Sequence, residues 1–238
     1  MRTLATAALF TFLAFGQGED KTFYFTQPVS IAEVTSMATM TRTLMDLQDI
    51  SVDQEHQAVV MHGPVDKLVA SDWLLHQLDQ PGAASGSSTA GEYKISGEVI
   101  KLFCVSPAAT VADITALTTA IRTTADLQRL FPLAGQKVIV GRGTPEKMAA
   151  TEWMVGQLLP PETQAPTTDS VAYPSPLLDS RTEADKPVIR IFRMDPKTTN
   201  AELTSAVTAI RTIADIQRLF PFENGEAKEK LRKNSQYL

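Results

Sequence analysis

Three arginine–aspartate pairs recur in this 238-residue chain at one spacing: Arg42 with Asp46, Arg122 with Asp126, and Arg211 with Asp215. Four residues apart on a helix, a guanidinium and a carboxylate share one face, and the plainest outcome is a surface ion pair worth about 0.2–0.5 kcal/mol. The other outcome is a charged ridge that docks a neighbouring unit or subunit. Threefold recurrence makes these six residues the candidate interaction face. The other reactive side chains do not converge. His56, His62 and His76 are scattered through the first third, whereas a metal site draws its ligands together from rigid elements. Cys104 has no histidine in its own third of the chain to activate it, so it reads as a strand residue and not a nucleophile. The carboxylates are spread, with no pair placed for acid–base work. The sequence therefore points to no catalytic residue, no metal and no cofactor, and an enzyme is not expected.

The pairs lie inside a longer repeat. Thr119-Ala-Ile-Arg-Thr-Thr-Ala-Asp-Leu-Gln-Arg-Leu-Phe-Pro132 returns at Thr208–Pro221 with 12 of 14 positions identical. A more diverged copy runs from Thr39 to Ile50, and the arginines stand 80 and then 89 residues apart. One supersecondary unit is thus used three times. A unit of about 60 residues buries only about 60% of its unfolded surface and is marginal alone.

The formal net charge is −5. A mildly acidic chain argues against nucleic acid, whose phosphates need a clustered positive surface. One cysteine excludes an internal disulfide framework. Arg2 followed by the uncharged, mostly apolar run Leu4–Phe15 reads as a secretory leader ending at Gly16, with small residues Ala14 and Gly16 before the cut. Twelve such residues are too few to span a bilayer. The mature chain is expected to be exported and to carry no membrane span.

In the first unit, Phe23 and Phe25 alternate onto one strand face, as Phe103 and Val105 do in the second and Phe192 and Met194 in the third. The opposite face carries Tyr24, Cys104 and Arg193 at one repeat position, which suggests a loosely packed surface. Prolines 28, 107 and 196 close these strands. A helix follows, with Ile114, Leu117, Ile121 and Ala125 as its stripe in unit two and Asn200 as the cap in unit three. Gln128–Phe131 reads as a short second strand stopped by Pro132. Lys137–Gly141 (Ala58–Met61 in unit one) reads as a central third strand. Thr144-Pro145-Glu146 opens a second helix with a cap, a first-turn proline and an acid at the positive end. Trp73 and Trp153 hold one repeat position on that helix. Either they anchor the core, at roughly 3–5 kcal/mol if cut to alanine, or they present an aromatic to a partner; the core reading is preferred.

Each unit is therefore strand, helix, strand, strand, helix: an α+β sandwich of one three-stranded sheet with two helices on one face. The divisions are a leader over 1–16, unit one over 21–80, and a Gly/Ser linker over 81–96. Unit two covers 97–159, and a proline-rich disordered linker covers 160–187. A partial unit three spans 188–222, and a charged tail spans 223–238. Unit three stops following unit two after Pro221, which leaves its third strand and second helix without counterparts; a truncated or shifted reading frame or a clipped fragment is the preferred account, and completion by another chain that adds a strand is the other.

The strand–helix–strand–strand–helix order, with Val138-Ile-Val-Gly-Arg-Gly-Thr-Pro-Glu146 turning into the last helix, resembles the short N-terminal domain of secretins. The likeness covers Lys21–Asp79, Gly97–Leu159 and, in part, Pro187–Phe222. It departs where the family often places an asparagine before the third strand, since Gln57 or Gln136 stands there, and no β-rich channel domain follows. The resemblance implies a periplasmic module that docks on other proteins or builds rings, with self or a secretion-system component as the partner. The order is also similar to that of the RNA-binding KH fold. Gly141-Arg-Gly-Thr144 is not its Gly-x-x-Gly loop, however, and it lies between strand and helix. The alternative to an assembly module is a monomeric, tethered unit that captures a peptide on an open strand edge.

Overall fold

A computed structural model describes residues 18–80, 90–159, 170–174, 188–195, 198–214 and 218–222. The expected leader, the charged tail and Asp215 lie outside these residues. Unit one runs β1 (Glu19–Tyr24), α1 (Ile31–Met45), β2 (Asp49–Asp53), β3 (Ala58–Gly63) and α2 (Val65–Leu78). Its antiparallel sheet has the order β1-β3-β2. Unit two runs β4 (Ala90–Ile95), β5 (Glu98–Cys104), α3 (Val111–Thr124), β6 (Leu130–Leu133), β7 (Val138–Gly143) and α4 (Pro145–Leu158). Its sheet has the order β4-β5-β7-β6. Strands β8 (Ser170–Pro174) and β9 (Val188–Phe192) pair with each other ahead of α5 (Asn200–Ala214). The α+β class is as expected, and so is the central third strand.

The first helix of each unit starts with the same reciprocal cap. Ser30 and Glu33, Thr110 and Asp113, and Thr199 and Glu202 each trade side-chain and backbone hydrogen bonds. Each box satisfies two of the amides a helix start leaves unpaired. In unit three the cap is therefore Thr199, not Asn200. Thr144 caps α4 with Pro145 in the first turn, as its sequence requires.

Four expectations need correction. The linker over 81–96 ends in strand β4, which turns into β5 through Ser96 and Gly97, both at positive φ (49° and 79°). That is the backbone a two-residue hairpin needs. Unit two thus has four strands, not three. Likewise the linker over 160–187 contains β8. Pro132 does not stop the second strand; it sits inside β6 opposite Ile139. A proline is tolerated there because β6 is a sheet edge.

The fourth correction concerns packing. Units one and two pack directly on each other. Helices α1 and α2 lie between two sheets. One apolar cluster joins Phe23, Val59 and Met61 of the first sheet and Met37, Leu44, Leu74 and Leu75 of the helices. It also takes in Ile100, Leu102, Cys104, Val138 and Val140 of the second sheet. A second cluster joins the other face of that sheet, through Phe103 and Ile139, to Ile114, Leu117, Ile121, Met148 and Val155. Ile189 of β9 closes it from beyond.

This stacking explains the variable strand position. Cys104 is buried because α1 and α2 cover it, and burial pushes its thiol pKa up. Arg193 reaches the next helix layer and donates to the Gln157 carbonyl at 3.3 Å. Tyr24 is exposed because no described residue covers the outer face of the first sheet.

Removing Leu102, which is fully buried yet faces the preceding unit, tests the stack. Leu102→Ala should cost about 2–5 kcal/mol. Urea unfolding followed from Trp73 alone (Trp153→Phe) and from Trp153 alone (Trp73→Phe) should share one midpoint, and Leu102→Ala should lower both. Two separate midpoints would refute the coupling.

Candidate functional site

Arg42 and Arg122 do not bond to Asp46 and Asp126, and Asp215 lies outside the described residues. Arg42 donates through a terminal amine to the Ile50 carbonyl at 3.1 Å. Arg122 donates to the Leu130 carbonyl, its Nε at 3.0 Å. Arg211 donates to the Leu219 carbonyl. In every unit the arginine thus ties the end of the first helix to the chain eight residues on. Arg122 and Arg211 also lie over Phe131 and Phe220, 5.7 and 5.8 Å from the ring centres.

The aspartates do different work. Asp46 and Asp126 have left the helix in the left-handed region, at φ 51° and 50°. Aspartate tolerates that conformation better than most residues. Their carbonyls accept from the second helix: Lys67 Nζ to Asp46 at 3.0 Å and Lys147 Nζ to Asp126 at 2.7 Å. The same lysine then meets the Asp126 carboxylate at 3.2 Å and holds its pKa below the ordinary carboxylate range.

The Asp46 carboxylate crosses the boundary between units. It meets Arg129 at 3.0 Å and Arg142 at 3.7 Å. Arg142, only 7% exposed, also bonds Glu98 at 2.7 Å and donates to the Leu44 carbonyl at 2.5 Å. A cation from β7 thereby satisfies a carbonyl at the negative end of α1, where the helix dipole favours it. At the next boundary Arg218, the repeat counterpart of Arg129, lies close enough to Asp126 to help lower its pKa.

Aromatic pairs complete both joints. Trp73 stands 5.3 Å from Tyr93 of β4, and Trp153 stands 5.2 Å from Tyr173 of β8. Both tryptophans are half-buried. They are neither sealed core anchors nor free aromatics, because each covers the strand that begins the next layer. Glycine at the end of the third strand has a reason as well. A Cβ at Gly63 would stand 2.6 Å from the Leu47 side chain, and Gly143 meets Leu127 in the same way.

The histidines stay apart. His56 bonds Asp53 at 2.8 Å, His62 bonds Asp20 at 2.7 Å, and His76 packs edge-on to Phe23 at 4.8 Å. Among the described residues no three potential metal ligands cluster. A shallow groove between α1 and β6 is lined by Thr35, Ser36, Thr39, Met40, Phe131, Pro132 and Leu133, none of which titrates near neutral pH.

The sequence already leaves unit three without its third strand and second helix, and the structure adds which side chains lie open. Phe192 is 61% exposed, whereas its counterpart Phe103 is fully buried. Met194, Ile210 and Ile213 are exposed with it.

No family model and no curated protein sequence matches the chain. Among solved structures it is similar to the N-terminal domain of the secretin XcpQ from Pseudomonas aeruginosa, at 14% identity and a TM-score of 0.25. That match covers 59% of this chain and 62% of the other. A dimeric cysteine variant of the same domain matches equally. Aeromonas hydrophila ExeD matches at 11% identity and a TM-score of 0.23, over 93% of this chain and 41% of its own. The chain thus spans less than two thirds of the length of these structures.

Arg142→Ala should cost about 1.5–3 kcal/mol in urea unfolding, the range for hydrogen bonds to charged groups. Asp46→Asn should cost under about 1 kcal/mol, because that carboxylate is half-exposed. Asp126 has the opposite use, as a pH probe. A carboxyl held below its ordinary 3.8 in the folded chain stabilises above pH 3.8 and loses that contribution as pH falls through the lowered value. Acid titration of unfolding should therefore be shallower below pH 3.8 for Asp126→Asn than for the parent.

Proposed function

We propose that this chain is a non-enzymatic, exported protein–protein interaction module: a stack of secretin-N-like units that docks into, or helps to build, a ring assembly in the cell envelope. The observation that carries the reading is the contrast between the two ends of the stack. The outward face of the first sheet presents Asp20, Thr22, Tyr24, Ser51 and His62 to solvent. These positions correspond to the covered Ile100, Leu102, Cys104, Phe131 and Arg142 of unit two. The last unit instead leaves Phe192, Met194, Ile210 and Ile213 at the surface. Exposed apolar groups of this kind, rimmed by polar residues, mark interaction sites.

Support for export is the leader-like run Leu4–Phe15, and support for a periplasmic setting is the resemblance of the Val138–Glu146 turn. No helix among the described residues is long and apolar enough to cross a membrane. The non-enzymatic reading draws on the repeated charged residues, which are engaged in clips within and between units.

A second reading, monomeric capture of an extended peptide, is favoured by β9. That strand is bonded to β8 on one side and to no described strand on the other.

Light scattering of the purified chain across a concentration series separates the two. Native mass should rise with concentration, and Ile213→Asp, at a position 86% exposed, should move that rise at least tenfold higher in concentration without changing helix content. A monomer throughout would remove self-assembly and leave peptide capture.

A further inference from the structure

The open face of unit three has a close template in unit two. The two share 12 of 14 residues through the helix end and the following segment. They share the capping box, Thr110 with Asp113 and Thr199 with Glu202. They also share the clip from Arg122 to Leu130 and from Arg211 to Leu219. In unit two, what closes this face is β7 and α4. β7 lies between β5 and β6, with Phe103 opposite Ile139 and Leu130 opposite Gly141. Met148, Met154 and Val155 of α4 then seal Phe103 and Ile121. In unit three the flanking segments are present: β9 on one side, and residues 218–222 on the other. The latter form no strand, although Leu219-Phe-Pro221 repeats Leu130-Phe-Pro132 of β6. Among the described residues no strand pairs with the second edge of β9.

Charge indicates what fills the gap. In each complete unit a lysine on the first strand meets a carboxylate that precedes the tryptophan of the second helix. Lys21 meets Asp72 at 2.9 Å, and Lys101 meets Glu152 at 2.7 Å. Unit three keeps the cation at that place as Arg190, whose guanidinium lies over the Phe192 ring at 5.9 Å. No described residue stands at the place of the carboxylate.

We infer that the open face of unit three receives a strand–turn–helix segment donated in trans, with an apolar, glycine-interrupted strand and an amphipathic helix whose carboxylate meets Arg190. This rests on the interaction reading above and names its partner by chemistry. Strand addition supplies the main-chain ladder, and alternate side chains supply specificity. The sequence of residues 137–159 meets every requirement and serves as the probe. The tail over 223–238 offers mainly charge (Glu226-Ala-Lys-Glu-Lys-Leu-Arg-Lys233) in place of an apolar strand.

The test is fluorescence anisotropy of a labelled 137–159 peptide titrated with the full chain. Saturable one-to-one binding in the micromolar range is expected. Arg190→Glu should weaken it at least tenfold, and a peptide carrying Glu152→Lys should recover binding to that variant while binding the parent poorly. This charge swap reads out the contact even if one variant is less stable. Absence of binding, or binding indifferent to the swap, overturns the inference. So does binding that tightens more than tenfold when 223–238 is deleted, since the tail is then the occupant. If peptide binding fails while concentration-dependent association persists, this inference falls and the interaction reading stands.

Discussion

A small sheet backed by two helices leaves a second surface on each layer, and this chain buries that surface by stacking. The pair α1–α2 is apolar toward both its own sheet and the next one. The second sheet is in turn apolar on both faces, with Leu102 turned to one helix pair and Phe103 to the other. Units of about 60 residues are marginal alone, and sharing one layer between two units offsets that deficit. Ordinary alternation of strand side chains becomes, in unit two, alternation between two cores.

Much of this was legible in sequence, and the failures are instructive. Helices were read well because their signals are local: the stripe Ile114, Leu117, Ile121 and Ala125 is fully buried, and the helix ends where that stripe ends. Strands depend on a partner far away. The segment Leu130-Phe-Pro is a strand in unit two, where β7 lies beside it, and the identical Leu219-Phe-Pro is not one in unit three, where no described strand does. The capping boxes at 30, 110 and 199 are local signals too, a Ser or Thr followed three residues on by Glu or Asp. The difference among Tyr24, Cys104 and Arg193 suggests loose packing in sequence. It records three environments for one position, namely solvent, a helix layer, and a helix carbonyl. No single unit contains that information.

The charged residues divide by reach. Arg42, Arg122 and Arg211 act within eight residues, on a carbonyl of their own unit. Lys67 and Lys147 act between helices of one unit. Arg129 and Arg142 act between units. Spacing along the chain identifies the first kind only. An i,i+4 pattern suggests an ion pair, yet Asp46 and Asp126 have already left the helix and meet other cations. A guanidinium, with five donors in a rigid fork, bonds the carbonyl instead, and Arg122 and Arg211 also stack on the phenylalanine that follows it.

The polar outer face of the first sheet also gives the array a grammar. A duplicate of unit two inserted after itself would meet a helix pair with the right apolar surface. A duplicate of unit one inserted there would set Asp20, Thr22 and His62 against apolar side chains, where unpaired polar groups are costly to bury. The two kinds of layer are therefore not interchangeable, since the second sheet is apolar on both faces and the first on one.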